Sequence, residues 1–113
     1  MRLAIVCLLL LTACTPDTTL LGTVNTQVNA HPYTKTYDCR MYVRDKYLAL
    51  LKAGISAEDM TVVYGLTYGL QPHVVLRADG HFLDNRYPDI TREPRMAVAE
   101  TIPASTVQWA AIK

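Results

Sequence analysis

The spacing of apolar residues divides the chain into an apolar start, two helices and a later set of strands. Leu3 to Leu11 is an almost unbroken apolar run. Apolar residues recur at helical spacing from Leu20 to Val28, which predicts a first helix. The strongest helix signal covers Cys39 to Lys52. Asp38 is a good N-cap there, and Gly54 supplies the left-handed residue expected just past the end.

The second helix is expected to pack on the core through one face. Cys39 lies one turn before the first residue of its apolar stripe and shares that face. The stripe consists of Val43, Tyr47, Leu50 and Leu51. The thiol is therefore expected in the first helical turn, pointing toward the core or a cleft beneath it.

The second half of the chain has the composition of strands. Met60 to Leu66 is rich in β-branched and aromatic residues, which favours a strand. His73 to Ala78 and His81 to Asn85 flank Asp79-Gly80, and this arrangement predicts a hairpin with a type I′ turn. A last strand is expected at Thr106 to Ile112. The pattern as a whole indicates one α+β domain.

The hairpin register brings two polar side chains onto one face. With the turn at Asp79-Gly80, Val75 is expected to pair with Asp84, and side chains alternate between faces with period two. His73 and Asp84 then lie diagonally across the ribbon, about 7–8 Å apart between backbones, and long side chains can bridge that distance. A slip of one residue would separate them.

Cysteine usage indicates a reactive thiol at the same place. Cys7 falls in the apolar start and Cys14 just after it, which leaves Cys39 as the one thiol of the folded part. An odd cysteine in an exported protein indicates an intermolecular bridge or a reactive thiol, although a buried, inert cysteine is the alternative. Unpaired N–H groups at a helix start favour a thiolate. The candidate catalytic triad is therefore Cys39, His73 and Asp84.

Each member of this triad also has a purely structural explanation. His73 could be an ordinary strand histidine, and Asp84 could simply end a strand. His31 and His81 are assigned no role, because the first lies in a loop and the second on the opposite hairpin face. A zinc site is a weaker alternative, because one thiol and scattered histidines lack ligand spacing such as C-x₂-C. No metal site is predicted.

The N-terminal segment indicates export and lipidation. The apolar run is too short to span a bilayer, which takes about 20 residues, and Arg2 before it is typical of a signal peptide over residues 1–13. Leu11-Thr12-Ala13-Cys14 resembles a bacterial lipobox, so Cys14 is the predicted lipidation site, with acyl chains such as palmitate anchoring residues 14–19 as a tether. A chance cysteine after an ordinary signal peptide is the alternative. Residues 20–113 are the expected folded domain.

Charge and length exclude some classes of partner. The chain has 113 residues, and its 11 lysines and arginines nearly balance 10 aspartates and glutamates. No basic stripe or acidic run is present, so no nucleic-acid partner is predicted. Thr15 rather than Asp follows Cys14, which resembles the pattern of lipoproteins sorted to the outer membrane. The expected location is the bacterial cell envelope, on the outer membrane and facing the periplasm.

With these residues identified, the chain resembles the bacterial transglutaminase-like cysteine peptidases, in a small lipoprotein version. The order of the Cys, His and Asp matches that superfamily. Four stretches carry the resemblance: Val24 to Asn29 (V-N-x-x-V-N), Asp38-Cys39-x-x-Tyr42 with Lys46-Tyr47 (D-C-x-x-Y), His73 to Leu76 (H-A-V-L) and Leu83-Asp84-Asn85 (L-D-N).

The resemblance implies a papain-like core in which the nucleophile helix packs on a small antiparallel sheet. It also implies a thiol peptidase that cleaves a peptide or amide bond of a periplasmic or cell-envelope protein. Calcium-dependent members carry an acidic pair after the cysteine, but this chain has Arg40 and Met41, so no cofactor is expected. The alternative is a catalytically inactive lipoprotein of the same fold that binds a cell-envelope partner.

Overall fold

The computed structural model describes residues 18–112. The predicted signal peptide (1–13), the predicted lipidation site Cys14 and most of the predicted tether (14–19) lie outside the described residues. Within residues 18–112, none of the helices combines the length and the apolar character needed to cross a membrane.

Within that range, two helices precede a four-stranded antiparallel sheet, as the α+β prediction required. The strand order is β3-β2-β1-β4, so β3 and β4 form the edges. Short 3₁₀ turns cover Ala57–Asp59, Ala104–Thr106 and Trp109–Ala111. The main elements are α1 (Thr18–Asn29), α2 (Cys39–Lys52), β1 (Met60–Leu66), β2 (Pro72–Ala78), β3 (His81–Leu83) and β4 (Ala97–Pro103).

Helix α2 has the predicted bounds because both of its ends are capped. Asp38 is extended, with φ −101° and ψ −169°, and its carboxylate accepts the N–H of Arg40 at 3.0 Å. That bond satisfies one of the N–H groups that a helix start leaves unpaired. Gly54, just beyond the C-terminal end, has φ +100°, which only glycine adopts readily. The first residue of α2 is therefore Cys39.

The buried face of α2 is wider than the predicted stripe, because Met41, Tyr42 and Lys46 are also buried and Leu51 is not. Val43, Tyr47 and Leu50 are buried and pack on β2, as expected. Leu51 is 37% exposed, because it follows Leu50 by one residue and is rotated about 100° around the helix axis. Lys46 is fully buried, because it lies four residues before Leu50 and therefore on the same face of the helix.

The β2–β3 hairpin has the predicted turn and register. Asp79 and Gly80 both have positive φ, 48° and 78°, as a type I′ turn requires. Leu76 pairs with Leu83, and the two strands are antiparallel. The prediction that the strand extends to Asn85 is wrong, because β3 ends at Leu83. The chain turns immediately after it, with the N–H of Tyr87 donating to the carbonyl of Asp84 at 3.2 Å.

The last strand is Ala97–Pro103, so the prediction of a strand over Thr106 to Ile112 is wrong. β4 pairs with β1 at an edge of the sheet, and most of its side chains are exposed, so it lacks the apolar alternation of a buried strand. The apolar residues after it instead form short turns that cover α2. Trp109 stacks on Tyr47 with ring centroids 4.5 Å apart and donates its indole N–H to the Ala104 carbonyl at 2.9 Å.

A β-bulge interrupts the β1–β4 ladder near its end. Tyr64 pairs with Glu100 and Gly65 with Val98, so Ala99 is the extra residue on β4. The backbones approach closely here, because a Cβ built on Gly65 would overlap the carbonyl oxygen of Ala97. The bulge therefore depends on glycine at position 65.

We expect Gly65→Ala to destabilise the protein by about 1–3 kcal/mol, since the new methyl group meets a backbone oxygen that no side-chain rotation can move. Gly22→Ala is the matched control. Gly22 lies within α1 and an added Cβ has nothing within 4 Å, so that change is expected to stabilise by about 0.5–1 kcal/mol. Urea unfolding measures both values, and equal stability of the Gly65→Ala and wild-type proteins would contradict the close approach.

Candidate active site

The predicted nucleophile opens the longer helix and faces the start of β2. Cys39 is the first residue of α2, is half-buried and has a free thiol. It packs at the margin of the main core and lines the same cavity as His73, which is the second residue of β2. The structure therefore brings the thiol and the imidazole to one place.

His73 is held by Asp84 and lines the same cavity as the thiol of Cys39. The Nε2 of His73 lies 3.0 Å from the Oδ1 of Asp84, and both residues are buried. An ionised carboxylate only accepts, so Nε2 donates its proton, and Nδ1 is the ring nitrogen available to the thiol. Burial alone would lower the pKa of His73, but hydrogen bonds to Asp84 and Cys39 outweigh it, and the net shift of that pKa is upward.

Asp84 is fixed and kept ionised by Arg86. The backbone N–H of Arg86 donates to Oδ1 of Asp84 at 2.9 Å, and its guanidinium donates to Oδ2 at 2.7 Å. Burial would raise the pKa of Asp84, but the hydrogen bonds from His73 and Arg86 outweigh it and hold that pKa well below its usual range. Sequence reasoning missed Arg86, although its position two residues after the candidate acid was a usable signal.

Arg86 is itself fixed by the segment that follows. Its guanidinium also donates to the carbonyl of Arg95 at 2.9 Å. Arg95 forms an ion pair with Asp89 at 2.6 Å. The two guanidinium groups lie over the ring of Tyr87, with distances of 5.1 Å for Arg86 and 4.1 Å for Arg95. The loop after β3 is thus a network of side chains built around the carboxylate.

Two asparagines of α1 hold the backbone of the same loop. Asn29 donates to the carbonyls of Asp84 at 3.1 Å and Tyr87 at 3.0 Å. Asn25, which is fully buried, donates to the carbonyls of Tyr87 at 3.0 Å and Pro88 at 3.2 Å. Their spacing of four residues places both on one helix face. This contact gives the V-N-x-x-V-N segment a structural role.

Lys46 is a buried cation beneath the site. It has no exposed surface, and within residues 18–112 its Nζ has no hydrogen-bond partner. The amine lies 5.9 Å from the centre of the Tyr42 ring. Burial lowers the pKa of Lys46 from 10.5 to about 7, and the negative charge of Asp84 opposes part of that shift.

The residues near Cys39 do not fit a calcium site. Calcium takes six to eight oxygen ligands, commonly carboxylates. The Oδ1 of Asp38 accepts the N–H of Arg40 at 3.0 Å, and its Oδ2 pairs with the Arg40 guanidinium at 2.8 Å, so both oxygens are occupied. The described part of the chain contains no cluster of three or more histidine, cysteine, aspartate or glutamate side chains suited to a metal.

The other histidines are not part of the site. His31 stacks on Tyr37 with ring centroids 3.5 Å apart. His81 is buried and its ring bonds to the Asp79 carbonyl at 3.0 Å. Neither lines the cavity beside Cys39. Both are accounted for by local packing and hydrogen bonding.

Comparison with known proteins identifies a shared fold. No model of a known protein family matches the chain, and no curated protein matches it. Two solved structures of Legionella pneumophila LapG are similar, one of them calcium-bound. Their TM-scores are 0.67 for the calcium-bound form and 0.68 for the other, at 18% identity over 79% of this chain. The chain spans 66% of the LapG chain, and its architecture is the papain-like, transglutaminase-like fold.

Lys46→Met should change how stability depends on pH. The Lys46 pKa is lower in the folded protein than in the unfolded chain, so between about pH 7 and pH 10.5 the unfolded chain binds more protons. The burial penalty is therefore full below pH 7 and disappears as the pH rises toward 10.5. Removing the amine should raise the free energy of unfolding by about 3–5 kcal/mol near pH 6.5 and by progressively less at higher pH.

Urea unfolding of both proteins from pH 6 to pH 10 measures this difference. Lys52→Met is the matched control, because Lys52 is exposed on the last turn of the same helix. It should leave the slope of stability against pH unchanged. A Lys46→Met protein with the wild-type slope would show that the amine is not the source of the penalty.

Proposed function

We propose that the protein is a thiol hydrolase of the transglutaminase-like cysteine-peptidase type, which cleaves a peptide or amide bond of a cell-envelope protein. One observation carries the proposal. A thiol at a helix N-terminus shares a cavity with an imidazole whose Nε2 is bonded to a buried carboxylate at 3.0 Å. LapG, a transglutaminase-like cysteine protease, has a similar fold and supports the same class of chemistry.

Cys39 is the nucleophile and His73 is the base. Nδ1 of His73 takes the thiol proton, and the sulfur attacks the carbonyl carbon of the substrate. The resulting imidazolium is stabilised by the ionised Asp84, which also fixes the ring tautomer. Arg86 keeps that carboxylate oriented and charged throughout the cycle. The bond between the carbonyl carbon and the nitrogen then breaks, and the leaving amine takes the proton from His73.

The start of α2 supplies a donor for the developing oxyanion. The N–H of Arg40 is bonded to the Asp38 carboxylate, and those of Met41 and Tyr42 are bonded to the Asp38 carbonyl. The N–H of Cys39 has no acceptor within the helix, because it is the first helical residue. It is the backbone donor next to the attacking sulfur and suits an oxyanion at the substrate carbonyl.

Water completes the reaction. His73, neutral again, deprotonates a water molecule that attacks the thioester of Cys39, and collapse releases the carboxylic acid and the free thiol. An amine in place of water would give transamidation by the same steps. We propose that water is the acceptor. A free carboxylic acid as the product indicates water, and a new amide indicates an amine.

The triad predicts how fast Cys39 is alkylated. In the full chain, His73→Ala should lower the rate of Cys39 alkylation by iodoacetamide at pH 7 by about tenfold or more, because the imidazole no longer takes the thiol proton. Asp84→Asn should lower it by a smaller factor, since the base remains but loses its orientation. Peptide mass spectrometry measures Cys39 separately from Cys7 and Cys14.

His81→Ala is the control, because it removes a buried histidine that does not line the cavity. It should leave the rate unchanged, and so should the exchange of calcium for a chelator, since no calcium site is expected. Equal alkylation rates for the wild-type and His73→Ala proteins would rule out the triad. They would favour the alternative, a catalytically inactive protein that binds a cell-envelope partner. A smaller effect of His73→Ala than of His81→Ala would do the same.

We further propose that Cys14 anchors the protein to the outer membrane, with the domain facing the periplasm and its substrate. Cys14→Ala in the full chain, expressed in a Gram-negative host, should move the protein from the membrane fraction to a soluble fraction and abolish incorporation of labelled palmitate. Cys7→Ala is the matched control and should change neither. Continued membrane association of Cys14→Ala would contradict lipid anchoring at this position.

A further inference from the structure

An apolar cavity of about 370 Å³ lies directly beside the nucleophile. This volume is near the small end of the range for ligand sites, roughly 300–1,000 Å³. Cys39, Arg40 and His73 form its polar side. The remaining walls come from Tyr64, Gly65, Leu66, Pro72, Val74 and Ala99.

The bulge on β4 turns one small side chain into this cavity. Ala99 is the unpaired residue of the bulge, and it lines the cavity although its strand is otherwise an exposed edge. β-bulges redirect side chains in this way and are frequent next to active sites. Because position 99 carries only a methyl group, the cavity is deeper there than any larger residue would allow.

Tyr64 lines both this cavity and a second, smaller one. The second cavity, of about 140 Å³, shares Arg40, Tyr64 and Val74 with the first and is also lined by Trp109 and Ile112. Tyr64 is 37% exposed, so its ring stands at the boundary between solvent and both cavities. Ala99 and Tyr64 are thus two lining residues whose size affects the space next to the thiol.

The charge distribution excludes an acidic occupant. Arg40 is the one arginine or lysine among the described residues that line the cavity, and its guanidinium is already paired with Asp38 at 2.8 Å. A substrate carboxylate placed here would be desolvated without a free partner. Two of the lining residues, Tyr64 and Leu66, are large exposed apolar side chains instead. Further exposed apolar residues lie nearby in the chain or sheet, at Val98 opposite Gly65 and at Tyr68 and Leu70 after β1.

We propose that this cavity is the subsite for an apolar side chain next to the scissile amide, and that Ala99 sets the size it accepts. The substrate class is a peptide with an aliphatic or thioether side chain, such as Leu or Met, beside the cleaved bond. The inference rests on the proposed thiol hydrolase function, since a substrate subsite presupposes a reaction. The preference of the cavity itself can be measured without turnover.

Alkylation of Cys39 by matched iodoacetamides tests the subsite. The probes are iodoacetamide, its N-butyl derivative and its N-(3-carboxypropyl) derivative, each rate being divided by its rate with free cysteine. Each buried methylene should add about fourfold, which is ~0.8 kcal/mol at 1.36 kcal/mol per tenfold change. We expect N-butyl iodoacetamide to be favoured at least tenfold over iodoacetamide, and the carboxypropyl probe to gain nothing.

Ala99→Leu should reduce the N-butyl preference to threefold or less, because the leucine side chain fills the cavity. Ala97→Leu is the matched control, since the same change lies two residues away on the same exposed strand and outside the cavity lining. It should keep the wild-type preference. Tyr64→Ala changes the cavity in the opposite direction and should increase the preference for an N-hexyl probe over the N-butyl probe.

Three results would overturn the subsite: no N-butyl preference in the wild-type protein, an equal gain for the carboxypropyl probe, or an unchanged preference in both Ala99→Leu and Tyr64→Ala. Thermal unfolding checks that each variant is folded. If Ala99→Leu does not fold, the result for Tyr64→Ala decides between the outcomes. Failure of the triad is a separate result, because it lowers the rate with every probe equally and leaves their ratio intact.

Discussion

The carboxylate of Asp84 is a buried charge on which the contacts of the candidate site depend. It is buried, and a buried charge is tolerated only when it is paired and hydrogen-bonded. His73 and Arg86 bond to its oxygens at 3.0 Å and 2.7 Å, while Asn29 of α1 bonds to its backbone carbonyl. Removing either charged neighbour would leave the carboxylate underpaired. Stability and candidate chemistry therefore depend on the same contacts.

Lys46 shows that this arrangement has an energetic cost. The amine is fully buried and has no hydrogen-bond partner within the described range. Burial lowers its pKa to about 7 although the charge of Asp84 opposes the shift. Its remaining favourable interactions are with the charge of Asp84 and the ring of Tyr42. A positive charge near Asp84 adds to the field of Arg86, so both favour the ionised acid that an imidazolium at His73 requires.

Helix ends and turns that depend on neighbouring residues could be predicted from the sequence. Contacts between residues far apart in the chain could not. The caps Asp38 and Gly54 fixed α2, and Asp79-Gly80 fixed the hairpin register that pairs His73 with Asp84. By contrast, Asn25 meets Tyr87 across 62 positions of sequence, and no local pattern reports such a contact. The last strand was misplaced for a related reason. As an edge strand, Ala97–Pro103 has exposed side chains, so its pairing with β1 leaves little trace in the sequence.

At the start of α2, a neighbouring side chain balances the charge of the helix-capping carboxylate. The backbone N–H of Arg40 donates to Oδ1 of Asp38, and its guanidinium pairs with Oδ2. The carboxylate therefore caps the helix and is paired at the same time. One carboxylate thus fixes the helix start that carries Cys39, and Arg40, two residues away, balances its charge. The candidate nucleophile is therefore held at the positive end of the helix dipole, where a negative charge is favoured, by side chains of the same helical turn.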